Sequence, residues 1–275
     1  MLGGNQGEGT VPTLETQGIS LHYETFGERG RPPVMLIPGL GGVGAAWGPQ
    51  IDRFAAEHFV VIADHRGTGQ TTRPADGYTI AQHAADMAAL IEHLALGPTH
   101  VIGSSTGGAI AQLMALDHAA LVRTVTMVST FARADDFMRR QFALRRKLAA
   151  EADMQTAAGC AALFLFSPRY ASRNPQIVAA WIERAAAQRA EREIAVARID
   201  MIMAHDALAR LPGIRQPTLV VCGDDDFCVP LYLSEEIAQA MNGAELAVVP
   251  EAGHFVYLEQ EQRFFDTVRA FIGRH

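Results

Sequence analysis

Gly103-Ser104-Ser105-Thr106-Gly107 limits what this chain can fold into more than any other stretch, because of what flanks it. An apolar strand pattern, Thr99-His100-Val101-Ile102, runs straight into these residues, and a helical pattern from Ala109 to Leu116 leaves them at once. A strand that becomes a helix within one tight turn needs small residues two before and two after the central one. Gly103 and Gly107 meet that need. Such a turn lifts the Ser105 hydroxyl off the strand end and aims a helix N-terminus at any negative charge developing there. As a bare string the motif is common; between a strand and a helix it predicts a presented nucleophile.

A serine hydroxyl attacks only when a base takes its proton and an acid orients that base. Of the histidines, His254 stands out, in Pro250-Glu251-Ala252-Gly253-His254-Phe255 directly after the last strand pattern. His22 and His100 fall in strand patterns, while His83, His93 and His118 lie on or near helices, where solvation is expected. The penultimate strand pattern runs into Gly223-Asp224-Asp225-Asp226-Phe227-Cys228-Val229-Pro230, which offers adjacent carboxylates. After Val128 the chain gives Ser129-Thr130-Phe131, with Asp135 and Asp136 several residues late, so that position is a weak source of the acid. An oxyanion needs two backbone N–H groups. Thr106 supplies one by following Ser105, and Leu40, in the Gly-rich run Pro38-Gly39-Leu40-Gly41-Gly42, is the expected source of the other. The Thr106 hydroxyl offers a further donor.

The order of patterns predicts an α/β fold. Extended segments at Val11–Glu15 and Ile19–Thr25 form a hairpin, and continuous apolar runs at Val34–Ile37 and Phe59–Ala63 read as strands covered on both faces. A helix follows over Ile80–Leu96 with Met87, Leu90, Ile91 and Leu94 on one side. Strands at Thr99–Ile102, Thr124–Val128, Thr218–Cys222 and Leu246–Val249 alternate with helices, closing on a helix from Glu259 to Ile272. Such alternation implies a mostly parallel sheet with helices on both faces. From 131 to 206 the chain is rich in Ala, Arg and Met and broken at Ser167-Pro168 and Asn174-Pro175, which reads as an inserted helical cap. The core is then 1–130 with 207–275, and Met1–Thr10 is expected to be a flexible tail. At 275 residues there is room for this one domain but not for two.

Composition narrows the partners. A net charge of −7 argues against nucleic acid, whose binding rests on phosphate neutralisation. The longest apolar runs have strand length and cannot span a bilayer. Cys160, Cys222 and Cys228 form neither an even framework nor a metal-spaced cluster, so no metal is expected and the cytoplasm is the natural compartment; with no phosphate-binding loop in the string, no organic cofactor is expected either. A small-molecule substrate is the expected partner, and a homo-oligomer is left open. Under a cap, Phe131, Phe142 and Trp181 are candidates to line an apolar pocket, and Arg139 to hold a substrate carboxylate. Arg66 is expected to tie loops together.

With these residues in place, the chain after its first ten residues resembles bacterial α/β-hydrolases of the group containing 3-oxoadipate enol-lactonases and the aminoacrylate hydrolases of pyrimidine degradation. The likeness lies in Gly39-Leu40-Gly41-Gly42, Trp47-Gly48-Pro49-Gln50, Asp64-His65-Arg66-Gly67-Thr68-Gly69, Tyr78-Thr79-Ile80-Ala81-Gln82, Arg139-Arg140-Gln141-Phe142 and Leu163-Phe164-Leu165-Phe166. The resemblance implies the α/β-hydrolase fold and partners in the order serine, acid, histidine. Its G-x-x-D…P pattern selects Asp226 over Asp225. Two departures stand out. Ser105 occupies an elbow position where many aminoacrylate hydrolases carry no serine, and Pro38 stands where histidine is common.

The expected activity is therefore that of a serine hydrolase cleaving a small carboxylic ester or lactone through an acyl-enzyme, using Ser105, His254 and Asp226. Competing readings are a C–N hydrolase of amide, carbamate or aminoacrylate type, a C–C hydrolase of diketones, and a ligand-binding member without catalysis. Epoxide hydrolase and dehalogenase chemistry needs a carboxylate where Ser105 stands.

Overall fold

The computed structural model describes residues 12–187 and 191–275. The expected tail, Met1–Thr10, and Val11 of the expected first strand lie outside the described residues. In chain order the elements are β1 (Thr13–Thr16), β2 (Ile19–Phe26), β3 (Pro33–Ile37), α1 (Pro49–Ala55), β4 (Phe59–Ala63), α2 (Ile80–His93), β5 (Thr99–Ser104), α3 (Thr106–Asp117) and β6 (Val122–Val128). Helices α4 (Asp136–Glu151), α5 (Met154–Leu165), α6 (Pro168–Arg173), α7 (Pro175–Ala187) and α8 (Arg192–Ala204) come next. The chain ends with β7 (Thr218–Gly223), α9 (Leu231–Ala240), β8 (Glu245–Val249), α10 (Val256–Glu259) and α11 (Glu261–Ile272).

Eight strands make one sheet in the order β1-β2-β4-β3-β5-β6-β7-β8. Strand β2 runs antiparallel to both neighbours, and every pair from β4 to β8 is parallel. Alternate residues of each strand feed two cores. Met35, Ile37, Val61, Val101, Met127 and Val220 pack on one face against α2, α3 and α9. Val34, Leu36, Val60, Ile62, Ile102 and Val221 pack on the other against α1 and α11, around Trp47, Phe54, Phe264 and Phe271. Burial on both sides is why these strands read as unbroken apolar runs. Successive strands depart in opposite directions from the β3–β5 pair, and the loops after those two strands border the crevice where ligands of open α/β sheets bind.

Local signals set the ends. Thr79 caps α2 by accepting from the Gln82 N–H, and Asp135, Asp153 and Ser167 cap α4, α5 and α6 in the same way. The expected C-terminal helix divides instead at Gln260, whose φ of −131° and ψ of 53° are not helical.

One expectation is overturned. His83 is fully buried rather than solvated, because the stripe that carries Met87 and Leu90 inward also carries residue 83. Its Nδ1 lies 2.8 Å from the Thr79 carbonyl. Burial, and then the Arg198 charge, push its pKa down to about 3. Burial likewise holds His100 and His205 at about 4. The unfolded chain takes up these protons near pH 6.5 while the folded chain refuses them, so stability falls as pH drops from about 6.5 toward 3. His83→Gln is expected to flatten that dependence in chemical-denaturation curves at stepped pH; an unchanged slope would show that His83 carries none of it.

Candidate active site

Ser105 sits at the β5–α3 junction with φ 55° and ψ −118°, a strained conformation for a residue with a side chain. Its neighbours show why only glycine fits beside it. A Cβ on Gly103 would stand 2.1 Å from the Gly107 carbonyl oxygen, and one on Gly107 would stand 2.3 Å from the Ile37 carbonyl oxygen. The turn is fixed from the next strand, because the Ser105 N–H donates to the Val128 carbonyl at 2.8 Å and the Thr130 hydroxyl donates to the Ser105 carbonyl at 2.6 Å. Gly107→Ala drives a methyl into backbone that cannot move aside, so a loss of about 3 kcal/mol is expected in urea unfolding. A native-like midpoint would contradict this account of the turn.

The loop after β3 crosses directly over the serine. A Cβ built on Gly39 would lie 3.4 Å from the Ser105 Cβ and 3.9 Å from its Oγ. Leu40 follows at this edge, and the loop is closed by the Gly42 N–H donating to the Gly39 carbonyl at 2.9 Å. Thr106 is fully buried at the start of α3, and its hydroxyl has no hydrogen-bond partner among the described residues.

Of the three aspartates after β7, Asp224 is exposed, Asp225 is half-buried and Asp226 is buried. Asp226 Oδ1 accepts from the Cys228 and Val229 N–H groups, both at 2.8 Å, and Oδ2 lies 2.9 Å from His254 Nδ1. Two backbone donors hold this carboxylate in its orientation. Burial alone would lower the His254 pKa. The Asp226 charge, the Cys228 thiol and the hydrogen bonds to both outweigh it and raise the imidazole above its ordinary range. No hydrogen bond joins the Ser105 hydroxyl to His254 among the described residues.

The histidine loop is held by Glu259, whose carboxylate accepts from the Gly253 N–H at 2.9 Å and from the Ser167 N–H and hydroxyl at 3.0 and 2.7 Å. Burial raises the Glu259 pKa even so. In the sequence Glu259 reads only as the start of the closing helix, with no local signal that it holds this loop.

Helices α4 to α8 touch the site at several points, but not through all the expected residues. Phe131 is fully buried, packed edge-on to His205 with centroids 5.8 Å apart, and belongs to the core. Phe142 is buried beneath Arg145, whose guanidinium lies 4.7 Å from the ring centroid. Trp181 is half-buried, 5.7 Å from the rings of both Phe166 and Phe255, and Phe255 in turn lies 6.0 Å from the His254 ring. Arg139 is exposed, because α4 turns Met138, Gln141 and Phe142 inward and leaves 139 and 140 facing out. Arg145, one turn past Gln141, reaches the loop instead, with Nη1 3.5 Å from the Cys228 sulfur. Arg66 ties its loop to helix α2 rather than to another loop: Nε and Nη2 each donate to the Asp86 carboxylate at 2.7 Å. Among the described residues there is no cluster of His, Cys, Asp or Glu suited to a metal, and no helix long and apolar enough to cross a membrane.

This architecture of sheet, elbow and loops is that of the α/β-hydrolase fold, and the model of the α/β-hydrolase family matches residues 32–261; the chain belongs to that family. It is a hydrolase by family and by relatives. A protein of Azorhizobium caulinodans named "Putative carbamate hydrolase RutD" is 32% identical over 263 residues, covering 96% of this chain and 98% of the relative. A Caulobacter vibrioides protein of the same name is 32% identical over 266 residues, covering 96% and 97%. Among solved structures, the enol-lactonase from Burkholderia xenovorans LB400 superposes with a TM-score of 0.88 at 28% identity, over 95% of this chain and all of that one. Est816, described as an N-acyl homoserine lactone degrading enzyme, gives 0.83 at 28% identity over 94% of this chain and 100% of the other.

Proposed function

We propose that the protein is a serine hydrolase that cleaves a small carboxylic ester or lactone through an acyl-enzyme. The observation that carries this reading is the buried Asp226–His254 pair, 2.9 Å apart, combined with a serine held on a strained strand–helix turn. In this mechanism His254 Nε2 takes the Ser105 proton as the hydroxyl attacks the carbonyl, and Asp226 fixes the tautomer and supports the imidazolium. The N–H groups of Thr106 and Leu40 receive the oxyanion, with the α3 N-terminus behind them. His254 then protonates the leaving group and activates the water that releases the acid. Helices α4 to α8 act as the cap over the substrate, with Trp181 and Phe255 on its apolar side and Arg145, in place of Arg139, as its cation. The cytoplasm remains the proposed compartment.

A second reading keeps the machinery and changes the bond. Carbamate or related C–N cleavage is favoured by the relatives at 32% identity, whereas the lactonase neighbours at 28% favour the ester bond. A panel of short esters, lactones, carbamates and amides decides between them by kcat/KM, and Ser105→Ala is expected to cost roughly 10⁴–10⁶ in kcat on any true substrate. Full turnover by that variant would overturn both readings.

The raised His254 pKa gives a pH signature. The base works only when neutral, so kcat/KM is expected to fall as pH drops through a value above the ordinary ~6.5. Asp226→Asn removes the charge that opposes burial, so the acid limb moves to lower pH while kcat drops by roughly 10³–10⁴. An acid limb that does not move in the variant would show that Asp226 does not govern this imidazole.

A further inference from the structure

Arg198, on α8, is a fully buried cation with no carboxylate within ion-pair distance among the described residues. Its Nη2 donates to the Leu40 carbonyl at 2.7 Å, and its Nη1 donates to the Arg66 carbonyl at 3.0 Å. Beside it are two imidazoles, His65 Nδ1 and His83 Nε2, each at 3.3 Å. Asp86, on α2, is taken by the neighbouring loop's Arg66, whose Nε and Nη2 both donate to it. Burying an ion costs several kcal/mol, and a lone one recovers that only through good hydrogen bonds. Burial lowers the Arg198 pKa to about 10, so it stays charged at neutral pH, while both histidines are held neutral.

What those hydrogen bonds hold matters more than their number. In the loop 39–42, the Gly42 carbonyl accepts from the His65 N–H at 2.7 Å and from the Thr68 hydroxyl at 2.8 Å, and the Gly39 carbonyl accepts from Gly42. The Leu40 carbonyl is taken by Arg198 instead, the only hydrogen bond between this loop and helices α4 to α8 among the described residues. Gly42, at φ +71°, leaves room for it: a Cβ there would stand 2.5 Å from Nη2. One bond thus fixes the peptide next to the one whose N–H is proposed to receive the oxyanion.

We propose that Arg198 is a positioning residue for the hydrolytic site: from α8 it sets the Leu40 end of the oxyanion loop, so the loop is competent only while that helix is docked. This inference rests on the proposed serine mechanism. It also assigns the uncompensated charge a role, since a fixed cation behind the loop favours negative charge forming in front of it.

The test compares native protein, Arg198→Lys and Arg198→Met on a short neutral ester, measuring kcat, KM, the rate of the acylation burst and the unfolding midpoint. Arg198→Met is expected to lose about 30- to 300-fold in kcat and in acylation rate with KM within about threefold, somewhat less than deleting an oxyanion donor outright. Arg198→Lys keeps the charge and can reach one carbonyl but not both, so it should recover about tenfold. A folded Arg198→Met with kcat within twofold of native, or a loss appearing only in KM, overturns the proposal. If the methionine variant does not fold, Arg198→Lys decides alone: a reduced burst at native KM supports the role, and a native burst with a lowered midpoint reduces it to a structural one. Native protein that shows no burst and no turnover would defeat the serine reading itself, a different outcome from native activity that Arg198 does not influence.

Discussion

The close approach of backbone to backbone where β5, α3 and the loop after β3 meet is the constraint on which the rest of the structure depends. Gly107 packs against the Ile37 and Pro38 carbonyls, and Gly103 against Gly107, at separations that leave no space for a single methyl group. That contact lets α3 start with only Ser105 between it and the strand, and forces Ser105 into its strained backbone. It also brings the Gly39-Leu40 edge against the serine Cβ. The same junction is the point at which the sheet order reverses, so strand topology and site chemistry share one location. The strain at Ser105 is offset by hydrogen bonds from β6 and by the fully packed cores on either side.

Around that junction, buried polar groups hold the loops at three places. Asp226 is fixed by two N–H groups and faces His254; Glu259 links the histidine loop to the start of α6; Arg198 links α8 to the loops after β3 and β4. The last two links cross from the sheet-borne loops to helices between β6 and β7. Partly satisfied buried groups are costly, so such contacts favour one arrangement of loops over near alternatives. Precision at the site therefore depends on helices that carry none of the three central side chains.

The fold was legible in the sequence because both faces of the sheet are covered: five- to seven-residue apolar runs broken by glycine leave little ambiguity about a parallel core. The serine turn and the His254 loop were readable for a related reason, since glycine is demanded there by sterics and leaves its mark in the string. What was not legible is what depends on helix rotation. Arg139 and Arg145 lie on one helix and look alike in sequence; only the direction of α4 tells which one turns toward Cys228. Arg198 carries no local signal at all, for its partners are carbonyls from two distant loops. His83 was readable and missed, because its place on the apolar stripe of α2 says more than its polarity.

The central claim is that Ser105 is an activated nucleophile beside a working oxyanion site, and intact-mass measurement after brief exposure to a fluorophosphonate tests it most directly. The account predicts a single adduct on the native protein, none on Ser105→Ala, and little on His254→Ala. A folded native protein that takes no adduct, or a Ser105→Ala variant that labels as fast as native, would contradict it.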